Sequence, residues 1–195
     1  MSFKNIRLMP TPEEIKKMEP ISPELKAIKD ENDKQLKDIF TGKDNRFVVI
    51  VGPCSADDEE AVCDYMRRLN EVKKQVADKM FIVPRVYTGK PRTTGEGYKG
   101  MMHQPDPEGA PNMVEGIKAI RRMYLRVIEE TGMPLADEML YPSNLPFVED
   151  ILSYIFMTFC YFFTKNNVSL FFQQKSALSS RPDRLRRLAV RESVR

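Results

Sequence analysis

Phe47-Val48-Val49-Ile50-Val51-Gly52-Pro53-Cys54-Ser55 is the stretch on which the fold reading turns. Five apolar residues in a row, four of them β-branched, predict a strand buried on both faces. Gly52-Pro53 breaks it, and Ser55 offers a cap for a helix whose first turn would hold Asp57, Asp58 and Glu59. Val62, Tyr65, Met66, Leu69, Val72 and Val76 then recur at helical spacing. A buried strand followed at once by an amphipathic helix is the unit of an α/β fold with parallel strands.

The same order repeats downstream. Met80 to Val86 predicts a second strand, and a Gly- and Pro-rich loop occupies 88–111. Met113, Ile117, Ile120, Tyr124, Val127 and Ile128 mark a helix over about 113–130, closed by Gly132. Met133 to Met139 is a third strand candidate, and Leu145 to about Tyr154 the next helix. Upstream, prolines at 10, 12, 20 and 23 and a helix over about 24–40 ending at Gly42 describe an N-terminal arm, residues 1–45. Residues 46–155 form the alternating β/α portion. In 156–195 the alternation stops. Phe156 to Phe163 packs five aromatics into eight residues, and the end is arginine-rich without a helical period. Local signals that stop agreeing predict a divergent tail, disordered or loosely helical.

Charge and composition narrow the function classes. The chain has 195 residues, 42% of them hydrophobic, and a formal charge of +3. Lys175 to Arg195 holds seven basic and two acidic residues, so the basic excess belongs to the tail. That argues against a nucleic-acid-binding domain. The most apolar run, Ile151 to Phe163, is short of the roughly 20 residues of a membrane-spanning helix. The polar start carries no recognisable signal peptide, and Cys54, Cys63 and Cys160 form no CxxC pair. A cytoplasmic protein with reduced, mostly buried thiols is the expectation.

Three places could carry chemistry. Cys54 follows the first strand at its carboxyl end, the edge where α/β folds bind ligands; it is either a transition-metal ligand or a buried structural thiol. Arg85-Val86-Tyr87-Thr88-Gly89-Lys90-Pro91-Arg92-Thr93-Thr94 gathers three cations and two adjacent hydroxyls. That set suits anionic oxygen, as phosphate or carboxylate, unless it is a solvated basic loop. Asp137-Glu138 ends the third strand, where a carboxylate is either catalytic or the partner of a nearby cation. His103 reads as an ordinary exposed histidine.

Taken together, Val-Ile-Val-Gly-Pro-Cys-Ser (49–55), Arg-Val-Tyr-Thr-Gly-Lys-Pro-Arg-Thr-Thr (85–94), Gly-Tyr-Lys-Gly (97–100) and Gly-Met-Pro-Leu-Ala-Asp-Glu-Met (132–139) resemble the microbial, feedback-regulated 3-deoxy-7-phosphoheptulonate synthases. The resemblance covers about residues 5–155. It implies a (β/α)8 barrel that condenses phosphoenolpyruvate with erythrose 4-phosphate and releases phosphate, opening aromatic amino-acid biosynthesis. It also implies a divalent metal (Mn, Fe, Zn or Co), an aromatic amino-acid effector and a homo-oligomer. By residue, Cys54 matches the metal-ligating cysteine. Arg85 and Lys90 match the groups that hold phosphoenolpyruvate, and Arg92 and Thr93 those that grip the sugar phosphate. Glu138 matches an acidic residue of the mouth, catalytic with Lys90.

After Ile155 the arginine- and lysine-bearing strands and the later His, Glu and Asp ligands of that family are absent. The expectation is an incomplete barrel of about three strands, from a truncated or frameshifted form inactive by itself. The rival readings are a non-catalytic phosphosugar-binding protein using the 85–94 loop, and an interaction protein using its aromatic tail.

Overall fold

The computed structural model describes residues 8–89, 100–139, 142–157 and 189–190. The N-terminal arm forms two helices, α1 (Pro12–Met18) and α2 (Pro23–Thr41). Thr11 caps α1 in a reciprocal box with Glu14, and Ser22 caps α2 by accepting from the Leu25 N–H. The predicted strand and helix follow as β1 (Phe47–Val51) and α3 (Glu59–Val76). Next come β2 (Met80–Pro84), α4 (Met113–Thr131), β3 (Ala136–Met139), a 3-10 helix (Pro142–Phe147), β4 (Tyr154–Met157) and β5 (Ala189–Val190). Gly42 (φ 78°) and Gly132 (φ 62°) end α2 and α4 in the left-handed conformation that a Cβ disfavours.

The strands are parallel. β1 pairs with β2 on one side and β5 on the other, and β3 pairs with β4. A bridge between Arg85 and Ala136 joins the two sets, so β1, β2, β3 and β4 run side by side in chain order. Each face of the sheet carries its own apolar cluster. Val48, Ile50, Phe81, Val83 and Ala136 pack with Leu36, Ile39 and Phe40 of α2. On the other face Val86, Leu135 and Met139 meet Met66 of α3 and Ile120, Tyr124 and Val127 of α4. Burying each large aliphatic side chain there contributes on the order of 1.5–3 kcal/mol. Asn32 of α2 donates to the Gly132 carbonyl at 3.0 Å, tying the arm beneath β3.

Five expectations need correction. The α3 cap is Asp58, whose Oδ1 accepts from the Ala61 N–H at 2.7 Å, and not Ser55. Asp58 stands directly before the helix, and a carboxylate suits the positive end of the dipole. The helix expected over 145–154 is replaced by the 3-10 helix and β4. Pro146 is compatible with a first helical turn, and what excludes the expected helix is its far end, where Tyr154 to Met157 find a ladder partner in β3. The count of about three strands is therefore short by at least β4. That strand also runs two residues beyond the boundary placed at 155, making Phe156 and Met157 part of the sheet. Of the remaining tail, Ala189 and Val190 pair with β1, against the expectation of disorder or loose helix at those two positions. Residues 158–188 and 191–195, with Cys160, lie outside the described residues. No described helix is long and apolar enough to cross a membrane.

Candidate functional site

Strand alternation assigns the site residues to faces. Side chains two apart share a face, so Arg85 continues the face of Phe81 and Val83, and Glu138 that of Ala136. At the carboxyl ends these two meet. Arg85 Nη1 donates to Glu138 Oε2 at 3.1 Å, with side-chain exposures of 8% and 23%. Arg85 Nη2 also donates to the Pro53 carbonyl at 3.2 Å, and its guanidinium carbon lies 5.4 Å from the centre of the Tyr87 ring. One arginine thus ties together the turn after β1, the end of β2 and the end of β3.

The close approach is built into the backbone. Gly52 leaves β1 so near β2 that a Cβ there would stand 1.8 Å from the Arg85 carbonyl oxygen. Any larger residue would push the Pro53-Cys54 turn away from the arginine. Cys54, within that turn, is exposed, so the reading of it as a buried structural thiol is overturned; Cys63 is buried as expected. The Tyr87 phenol is pushed up to about 12 by burial first, then by the negative charges of Glu138 and Asp137. It is a neutral hydrogen-bonding group at any physiological pH.

Asp137, one residue before Glu138, points the other way. It is 2% exposed, among the helices. Its carboxylate accepts from the Thr88 hydroxyl (2.8 Å), the Tyr124 phenol, and the backbone N–H groups of Glu138 (2.7 Å) and Thr88 (3.3 Å). Burial outweighs those four bonds and pushes its pKa up to about 7. Sequence reading treated Asp137-Glu138 as one acidic pair and Tyr124 as part of an apolar stripe. The period-two rule for strands was the signal that could have separated the two carboxylates.

Of the predicted site residues, the structure therefore brings Arg85, Glu138 and the turn bearing Cys54 to one edge. Lys90, Arg92 and Thr93 lie outside the described residues. His103 is exposed, as expected. Among the described residues no group of three or more His, Cys, Asp or Glu side chains is arranged to hold a metal ion.

Comparison with known proteins sets this edge in context. The DAHP synthetase I family profile matches residues 20–158, more than half of the chain. The chain belongs to the DAHP synthetase I family. It is similar to the Tyr-sensitive phospho-2-dehydro-3-deoxyheptonate aldolase of Escherichia coli K12, at 34% identity over 148 residues, covering 76% of this chain and 41% of that protein. The phenylalanine-inhibited enzyme of Saccharomyces cerevisiae is 36% identical over 116 residues, covering 60% of this chain and 30% of its own length. Among solved structures, the phospho-2-dehydro-3-deoxyheptonate aldolase of Francisella tularensis SCHU S4 superposes with a TM-score of 0.71 at 27% identity. That superposition covers 80% of this chain and 45% of the other. This DAHP synthetase family chain thus spans about two-fifths of the length of the relatives it matches. The matched span, 20–158, holds every predicted site residue and stops one residue after β4.

Proposed function

We propose that the chain carries the substrate-gripping side of a 3-deoxy-7-phosphoheptulonate synthase, a transferase of the shikimate route to aromatic amino acids. In that reaction a carbon–carbon bond forms between the enol carbon of phosphoenolpyruvate and the aldehyde carbon of erythrose 4-phosphate. Water enters and inorganic phosphate leaves. The observation that carries the reading is Arg85, nearly buried yet presented at the carboxyl edge by Glu138 and the Pro53 carbonyl. A guanidinium held in this way is oriented before the anion arrives, which lowers the cost of binding it.

Arg85 and Lys90 hold phosphoenolpyruvate, and Arg92 and Thr93 hold the phosphate of the sugar. Lys90 places positive charge beside the reacting atoms, and Glu138 supplies a carboxylate able to orient Arg85 or accept a proton. Two anions must be brought together, and preorganised cations are the physical means of doing so. Cys54 is the metal ligand this reading assigns; among the described residues no group of three or more His, Cys, Asp or Glu side chains is arranged to complete a site. Among the described residues β1 to β4, in chain order, fit consecutive strands of the (β/α)8 barrel family, with 1–45 as the arm and a divergent tail after β4 that leaves the barrel incomplete. Relatives described as Tyr-sensitive, phenylalanine-inhibited and Trp-sensitive support an aromatic amino-acid effector. A homo-oligomer and a cytoplasmic setting follow from the same reading, with neither nucleic acid nor membrane as partner.

Isothermal titration of the chain with phosphoenolpyruvate tests it. Binding is expected, weakened on the order of tenfold or more by Lys90→Ala, while Arg92→Ala weakens erythrose 4-phosphate instead. Phosphoenolpyruvate affinity indifferent to Lys90→Ala would refute the assignment. Mixed with both substrates and divalent metal, the 195-residue chain alone is expected to give no turnover. Turnover lost in both variants would mean that copies assemble a composite barrel.

A further inference from the structure

Asp137, Tyr124 and Thr88 form a buried polar knot that the proposed reaction does not use. One carboxylate ties three elements: its own strand β3, the segment leaving β2 at Thr88, and helix α4 through Tyr124. The Thr88 and Tyr124 oxygens also lie 3.4 Å from each other, which closes the triangle. Beside them is a cavity of only about 10 Å³, lined by Met139, Asn144 and Val148 among others. It has space for about one water, so bulk solvent does not satisfy the carboxylate.

The knot lies directly behind the mouth. Asp137 Oδ1 holds the backbone N–H of Glu138, the residue whose own carboxylate faces Arg85. It also holds the backbone N–H of Thr88, three residues after Arg85 and two before Lys90. A side chain bonded to the backbone at both points fixes the carboxyl end of β3 against the segment that leaves β2.

We infer that Asp137 is the positioning residue of this mouth, setting through Glu138 and Thr88 the geometry in which Arg85 meets an anionic substrate. The inference rests on the substrate reading above. Asparagine is the conservative replacement. Its carbonyl accepts the two backbone N–H groups, and its amide donates to the two hydroxyl oxygens, which rotate to receive it.

Two measurements on the full chain test it: phosphoenolpyruvate titration, and amide hydrogen exchange at Thr88, Glu138 and the β1 residues Val48 and Ile50. Asp137→Ala is expected to weaken binding on the order of tenfold. It should also speed exchange at Thr88 and Glu138 while β1 stays protected, and Asp137→Asn should recover most of both losses. Should Asp137→Ala fail to fold, Thr88→Val and Tyr124→Phe, each removing one donor, are expected to show the same pattern at a few-fold. Unchanged affinity, exchange that rises equally throughout the sheet, or asparagine no better than alanine would each overturn the inference. Wild-type chain that does not bind phosphoenolpyruvate would instead sink the substrate reading. The exchange pattern would then decide the positioning role alone, with unaltered exchange at Thr88 and Glu138 against it.

Discussion

Arg121 on α4 and Asp137 on β3 are both buried charges, 0% and 2% exposed, and the fold treats them in opposite ways. Arg121 meets an opposite charge: its two Nη atoms donate to the Asp150 carboxylate at 2.7 and 2.8 Å, and the rest of the guanidinium is taken up by the Glu19 and Phe147 carbonyls. Asp137 receives four hydrogen bonds, all from neutral groups. The arginine is thereby a clasp that joins the arm to α4 and to the segment before β4. The aspartate keeps its desolvation largely uncompensated and is left titratable near neutrality, beside the mouth. The charge that docks the arm is paired with an opposite charge. A charge set behind a binding edge is only hydrogen-bonded.

The most damaging way to probe that contrast is to break the clasp. Arg121→Ala removes the donors of two backbone carbonyls and the partner of the Asp150 carboxylate, which is 25% exposed, so the loss should fall at or just below the about 3–5 kcal/mol of breaking a buried pair. Denaturant unfolding should register that loss, and limited proteolysis should cut between Met18 and Ser22, where Glu19 has lost its anchor. A destabilisation below about 1 kcal/mol, the level of an exposed ion pair, would mean the arm docks by apolar contact alone.

The next effect is one of pH. Asp137 titrates at about 7 in the native state, against 3.8 for an aspartate in water. A carboxyl whose pKa rises on folding holds its proton more tightly in the native chain. Its contribution is therefore most favourable below about pH 4, is lost progressively as pH rises toward 7, and is flat above. The span is at most about 4 kcal/mol, since each tenfold gain in proton affinity is worth about 1.4 kcal/mol. Asp137→Asn has no such proton. Urea midpoints measured from pH 4.5 to 8 should therefore show the variant gaining on the wild type as pH rises. A constant difference across that range would show Asp137 to be ionised throughout.

How much of this could be read from the sequence depends on whether a signal was local. β1, α2, α3 and α4 were legible because Phe47 to Val51 is one apolar run and because the helices show period 3.6 with Gly42 and Gly132 as stops. The stretch from Leu145 to Tyr154 was misread. Leu145, Val148, Ile151 and Leu152 satisfy helical spacing, but they serve a 3-10 turn and the approach to β4, and the deciding partner for Tyr154 is Ala136, distant in sequence. At the site, residue types pointed to the carboxyl ends of the strands but left Asp137-Glu138 open between catalysis and pairing with a cation; that Glu138 is the one facing Arg85 came from the structure. The Asp137 knot was invisible because its partners come from α4 and from the segment after β2. Spacing along one chain does not reveal which elements will pack together.

The smallest effect offers the cleanest control, because it holds residue type and helix constant. Arg126 lies on α4 five positions after Arg121 and makes four hydrogen bonds, to Glu59, Glu60 and Glu130, against five for Arg121. By bond counting the two should matter almost equally. By burial they should not: the Arg126 side chain is 30% exposed, and its partner Glu60 is 72% exposed. Water already solvates these groups in the unfolded chain, and it takes over much of the pairing when the arginine is removed. Arg126→Ala should therefore destabilise the fold far less than Arg121→Ala. Raising salt from about 0.1 M to about 1 M, which shortens the Debye length from roughly 10 Å to roughly 3 Å, should erase most of what it does cost. The Arg121→Ala loss should persist largely in the same salt, because the Arg121 side chain is 0% exposed and three of its five hydrogen bonds go to backbone carbonyls, which ions do not screen. If the two variants instead lose equal stability at both salt concentrations, the α3–α4 surface network is as structural as the clasp, and pairing rather than burial sets the worth of a charge in this fold.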